Sequence, residues 1–255
     1  NHSFYKRMPF TAYYDLGITF PVPSRYVRYH TPTVRTKYEI PYYNGISFNN
    51  GTTIKKSMYT SGTIFNYLEY CKMNPKINHY DHGIVGGLWL YDSLVKNYYL
   101  SFSRNKSADF NDFYINDLHF STSQFPIFAY LADCIISHNM WFATDDYTIE
   151  QYEKYGLKQL TPPYAQPVQF NRNPILFILA LADTLEPIKT CSNLDISPLD
   201  VLNNIECEFN HKQITLAFKN NDMFNKMTDK INRSTNWLDI NVHINNKNNE
   251  IVVIF

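Results

Sequence analysis

The chain has 255 residues, of which 44% are apolar and 18% charged, enough apolar material to bury a full core and too much for a disordered or fibrous protein. Twenty-three Lys and Arg balance 23 Asp and Glu. With zero formal charge no global field draws the chain to a phosphate backbone or an anionic membrane, which argues against nucleic acid as a partner. The longest apolar runs, such as residues 175–182, fall well short of the roughly 20 residues that span a bilayer, so no membrane partner is expected.

The sequence begins at Asn1 without Met and without the apolar core of a signal peptide, and reads as a piece of a longer chain rather than a secreted product. Cys71, Cys134, Cys191 and Cys207 form no C-x-x-C pair, which speaks against a zinc ribbon or a disulfide framework and for a reducing, cytoplasmic compartment. The 28 Asn residues fit an AT-rich bacterial genome and point to no activity.

Residues 20–56 carry Pro21, Pro23, Pro32 and Pro41 and an Asn-Asn-Gly turn at 49–51, and predict an irregular segment or short hairpin. From Thr60 the period changes, since Ile64, Tyr67, Leu68 and Cys71 recur at helical steps. Further helices are predicted over 78–99, over 125–139 with Pro126 in its first turn, over 148–158, and from Pro174 to Leu185, where Pro187 ends it. Residues 159–173, with Pro162, Pro163 and Pro167, read as a loop. After about Ser197 alternation takes over at Ile214, Leu216, Phe218, at Ile240, Val242, Ile244 and at 251–255, around a helix at 223–231. The expected organisation is a mainly α helical body over 1–195 with a small C-terminal α/β unit of β-α-β-β order over 196–255.

Three stretches carry residues suited to chemistry. The helix at 78–99 opens His79-Tyr80-Asp81-His82-Gly83, with His79 and His82 on one face and Asp81 able to ligate or to accept an imidazole N–H. Imidazole with carboxylate suits Zn, Fe, Mn or Ni; caps and packing are the ordinary alternative. Gly83, Gly86 and Gly87 each cost about 1 kcal/mol in a helix, which close approach of a second helix would explain. His138, with Asn139, ends an apolar helix, where a protonated imidazole can equally serve as a cap. Asp183 follows a run apolar on all sides, a costly place for a carboxylate unless it is paired or metal-bound, and Glu186 shares its face. Arg172 or Lys189 could instead pair with Asp183.

Taken together, Asp81-His82-Gly83-Ile84-Val85-Gly86-Gly87, Ser137-His138-Asn139-Met140-Trp141 and Leu181-Ala182-Asp183-Thr184-Leu185-Glu186-Pro187 resemble the motifs of the HD superfamily of metal-dependent phosphohydrolases, over about residues 78–190. The later two motifs are similar to those of HD hydrolases that cleave dinucleoside tetraphosphates. The defining His-Asp doublet is met only by Tyr14-Asp15, with Tyr14 in the histidine position; His2 and His30 fit no motif position.

The resemblance implies an HD-domain-like helical bundle and hydrolysis of a phosphoester or phosphoanhydride in a small-molecule nucleotide. Asp15, His82, His138 and Asp183 would be the ligands of a divalent metal (Fe, Mn, Ni, Zn or Mg), with Asp15 and Asp183 catalytic. His79, Asp81, Asn139 and Glu186 would surround the ligands. Lys189, Arg172 and Arg104 are the cations nearest in sequence for phosphate, and Trp89, Trp141 and Tyr80 could stack on a base, although burial is the commoner fate of such rings. The resemblance leaves oligomeric state open. Tyr14 motivates a second reading, a degenerate scaffold that binds a nucleotide or protein partner without catalysis; a regulatory fragment whose tail is an interaction module is a third.

Overall fold

The computed structural model describes residues 46–47, 53–54, 66–67, 69–71, 73–74, 82–104 and 109–255. Helix is the dominant regular structure among them. The chain divides into two units, residues 1–162 and 163–255.

In the first unit, β1 (Ile46–Ser47) pairs antiparallel with β2 (Thr53–Ile54) across the Asn-Asn-Gly segment, as the hairpin expectation requires. Residues 66–67, 69–71 and 73 are helical. Helix α1 (His82–Arg104) runs five residues beyond the expected end at Tyr99. Its last turns are held by rings, because Phe102 meets Phe110 edge-on at 5.1 Å and Phe113 at 5.8 Å.

A hairpin that periodicity did not predict follows, β3 (Asp112–Ile115) with β4 (Leu118–Ser121). Its two-residue turn is Asn116-Asp117, both at positive φ, the backbone that right-twisted strands need and that Asn and Asp tolerate best after glycine. Phe113 and Phe120 stack across the pair at 5.0 Å. Both surround the buried Tyr98, whose hydroxyl donates to the Phe110 carbonyl at 2.6 Å.

Helix α2 (Phe125–Ser137) carries Pro126 in its first turn and packs along α1. A Cβ on Gly87 would lie 2.5 Å from the Ala132 carbonyl and 2.6 Å from Ile136 Cγ1, so only glycine allows the two backbones to come this close. Helix α3 (Asp146–Lys154) is capped by Asp145, whose Oδ1 accepts from the Thr148 N–H at 2.9 Å. It stops short of the expected Lys158 because Gly156 takes a left-handed turn at φ 73°.

In the second unit, α4 (Pro174–Leu185) matches the expected helix, with Pro174 at its start. It buries Leu176, Phe177, Ala180, Leu181 and Thr184. Pro187 ends it but also opens a four-residue helix, α5 (Pro187–Thr190), and a further short helix, α6 (Pro198–Asn203), precedes the sheet. The strands are β5 (Ile205–Phe209), β6 (Gln213–Phe218), β7 (Asn241–Asn245) and β8 (Glu250–Ile254), with α7 (Asn221–Ser234) between β6 and β7.

The tail is therefore ββαββ rather than the expected β-α-β-β. Spatial order is β5-β6-β8-β7, all antiparallel. Strand β5 was missed because it is an edge strand whose alternation, Ile205, Cys207, Phe209, reads as strand only once Phe209 is seen opposite Ile214 and Ile205 opposite Phe218. Ile214, Leu216, Phe218, Ile251 and Val253 are buried, as are Met223, Phe224, Met227 and Ile231 on one face of α7. Phe177 of α4 meets Phe255 at 6.0 Å, joining the helix to the chain's last residue. Among the described residues no helix is long and apolar enough to cross a membrane.

Candidate metal centre

His82 opens the described part of α1 and is exposed, whereas His138 caps α2 and is buried. Their rings meet edge to face with centroids 5.2 Å apart, brought together by the close α1–α2 approach that Gly87 permits. The Nδ1 of His138 is hydrogen-bonded to the Ile135 carbonyl three residues earlier. A carbonyl only accepts, so Nδ1 carries the proton and, in the neutral ring, the lone pair is on Nε2. That is how a protein fixes the tautomer and direction of a metal-ligating imidazole.

Asn139 bonds the other ring. Its amide nitrogen lies 3.0 Å from His82 Nδ1 and 3.2 Å from Nε2.

Asp183 stands in the last turn of α4, half-buried, its side chain 22% exposed. Lys189 Nζ lies 4.0 Å from its Oδ1, at the limit of an ion pair, and the lysine is itself 67% exposed, so this contact holds the carboxylate weakly. Glu186 is engaged locally: its two oxygens accept from the N–H groups of Ile188 and Lys189, each at 2.8 Å, capping α5. The lysine that binds this segment most closely is one the sequence reading passed over. Lys230 of α7 donates to the Asp183 main-chain carbonyl at 2.6 Å and to Thr190 Oγ1 at 3.0 Å. Burial pushes its ammonium below the usual lysine range, and the Asp183 and Glu186 carboxylates pull the other way.

His82 and His138 of the first unit and Asp183 of the second are the described residues whose chemistry suits a metal ion. The donor set fits. Imidazole with carboxylate is the chemistry of Zn, Fe, Mn and Ni sites.

Asp15, Tyr14, His79, Tyr80 and Asp81 lie outside the described residues. Arg104 ends α1, 22 residues from His82 and so about 33 Å along the helix axis, too far to act at the same site. Arg172, one of the two alternative partners for Asp183, is exposed in the loop before α4, and the contact at the ion-pair limit is made by Lys189. Trp89 and Trp141, for which burial was the ordinary expectation, are 57% and 43% exposed. Trp89 follows His82 by seven residues, two turns along the same face of α1. No family model matches the chain, and no curated protein or solved structure is significantly similar to it.

Proposed function

We propose that the chain is a metal-dependent phosphohydrolase of the HD type, an HD-like helical bundle acting on a phosphoester or phosphoanhydride of a nucleotide. The observation that carries this reading is the pairing of His82 with His138, two residues that the motif resemblance singles out, with ring centroids 5.2 Å apart and the second ring oriented by a carbonyl; the resemblance adds Asp183. His138, its tautomer fixed by the Ile135 carbonyl, would offer Nε2; His82, held by Asn139, and Asp183 would complete the set. A divalent ion held there would supply Lewis acidity toward a phosphoryl oxygen and make a water more acidic. The protein's own contribution is to orient these donors, to present Lys189 to the remaining phosphate charge, and to offer the exposed indoles of Trp89 and Trp141 to a base.

The test is elemental analysis of protein purified without a metal-affinity step, before and after His82→Ala, followed by a hydrolysis screen over nucleoside mono-, di- and polyphosphates with Mn²⁺. About one or two equivalents of transition metal, lost in the variant, with metal-dependent release of phosphate or nucleotide, is the expected result. Protein that takes up no metal even after incubation with Mn²⁺ refutes the reading. Tyr14 in the histidine position of the doublet favours one alternative, a scaffold that binds a nucleotide or a protein without turnover. It predicts nucleotide binding that survives chelation and no hydrolysis.

A further inference from the structure

Pro187 creates a deficit at the end of α4. In a continuing helix the Asp183 carbonyl would accept from the N–H four residues on, and proline has none. Buried or half-buried helix ends need another donor. Here it comes from 47 residues later in the chain: the Lys230 ammonium bonds the Asp183 carbonyl at 2.6 Å and Thr190 Oγ1 at 3.0 Å, while Thr190 donates its hydroxyl to the Glu186 carbonyl at 2.8 Å. One side chain thus ties the last turn of α4 to α5 across the break at Glu186, whose ψ of 114° is not helical.

We propose that Lys230 is the positioning residue for Asp183, fixing the backbone from which that carboxylate projects; the proposal rests on the metal-centre reading. Charge alone does not explain a lysine in this place. An ammonium beside a cation site repels the ion, so by Coulomb's law its removal should tighten metal binding. If the lysine serves as a tether, its removal loosens the ligand and weakens binding. The two accounts predict opposite signs.

The experiment titrates Mn²⁺ into the full chain by calorimetry, comparing the unsubstituted protein with Lys230→Met, Lys230→Arg and Lys226→Met, with amide hydrogen exchange over residues 184–190 measured on the metal-free forms. Lys226 is on the same helix and its charge also reaches Cys191, which makes Lys226→Met the control for charge. Lys230→Met is expected to weaken Mn²⁺ binding about tenfold or more, the range found when a group that orients a ligand is lost. It should also speed exchange at the α4–α5 junction. Lys230→Arg should restore most of the affinity, and Lys226→Met should leave it unchanged or tighter. Unchanged or tighter binding in Lys230→Met overturns the proposal alone, whereas unsubstituted protein that takes no Mn²⁺ overturns the metal-centre reading and this proposal with it. Should Lys230→Met fail to fold, Lys230→Gln is read against the same criteria.

Discussion

Gly86 and Gly87 are adjacent in one helix, yet alanine should act on them in opposite directions. In a free helix either change would stabilise by about 1 kcal/mol, the propensity difference between the two residues. At Gly86 the new methyl would meet Ile135 Cγ2 at 3.6 Å, an ordinary contact, so Gly86→Ala should keep roughly 0.5–1 kcal/mol of that gain. At Gly87 it would lie 2.5 Å from the Ala132 carbonyl oxygen and 3.1 Å from the Ile136 backbone nitrogen, as well as 2.6 Å from Ile136 Cγ1. Two of those three neighbours are backbone and cannot swing away. Relief requires α1 to part from α2 by about an ångström along a buried seam, and overpacking of this kind costs about 1–3 kcal/mol, occasionally more. Set against the propensity gain, Gly87→Ala should lose up to about 2 kcal/mol net. Urea denaturation followed by circular dichroism measures both. The same parting moves His82 away from His138, so Gly87→Ala should also weaken Mn²⁺ binding while Gly86→Ala does not. Equal stabilisation by both alanines would refute the close α1–α2 approach and, with it, the way the two rings are brought together.

Two further predictions concern single side chains. Tyr98→Phe leaves the Phe110 carbonyl without its donor and should cost about 1–2 kcal/mol, while Tyr98→Ala, which empties the middle of a ring cluster, should cost about 3–5 kcal/mol; denaturant midpoints check both. Burial above all holds the Tyr98 phenol up to about 12 against an ordinary 10.0, so its contribution to stability is complete below pH 10 and is lost as pH rises toward 12, a loss absent in Tyr98→Phe. Asp145 has the opposite sign. Its hydrogen bonds from Thr148 hold the carboxyl below the usual aspartate range, so its support of α3 is present above the unfolded value near 3.8 and fades as pH falls through the lower folded one. Asp145→Asn should keep the cap and abolish this acid dependence, and Asp145→Ala should destabilise at neutral pH; thermal scans from pH 2 to 7 decide it.

Local sequence determined much of the framework for local reasons. Prolines at 126 and 174, each followed by apolar residues at helical steps, fix where α2 and α4 begin, because proline suits the first turn and the apolar faces need partners. The glycines of α1 announced a close neighbour, and the cost of a charge after an apolar run marked Asp183. What one-dimensional pattern did not contain was pairing. Strand β5 and the β3–β4 hairpin become strands through their ladders, and Trp89 and Trp141 keep their exposure because among the described residues no element covers them fully. Arg104 shows the same lesson in reverse, since a helix that joins residues in sequence also separates its ends by its length.

The sequence by itself determined which residue types could bind an ion, His82, His138 and Asp183, and the order in which helices carry them. The tertiary structure alone decided that the rings of His82 and His138 meet at 5.2 Å, that a carbonyl orients His138, and that the donor missing at Pro187 is Lys230. The physical reason is range. Periodicity, caps and proline act over a few residues and can be read along the chain, whereas convergence of distant side chains depends on how apolar faces pack and which buried polar groups must find a partner, and packing is settled only when the whole fold forms.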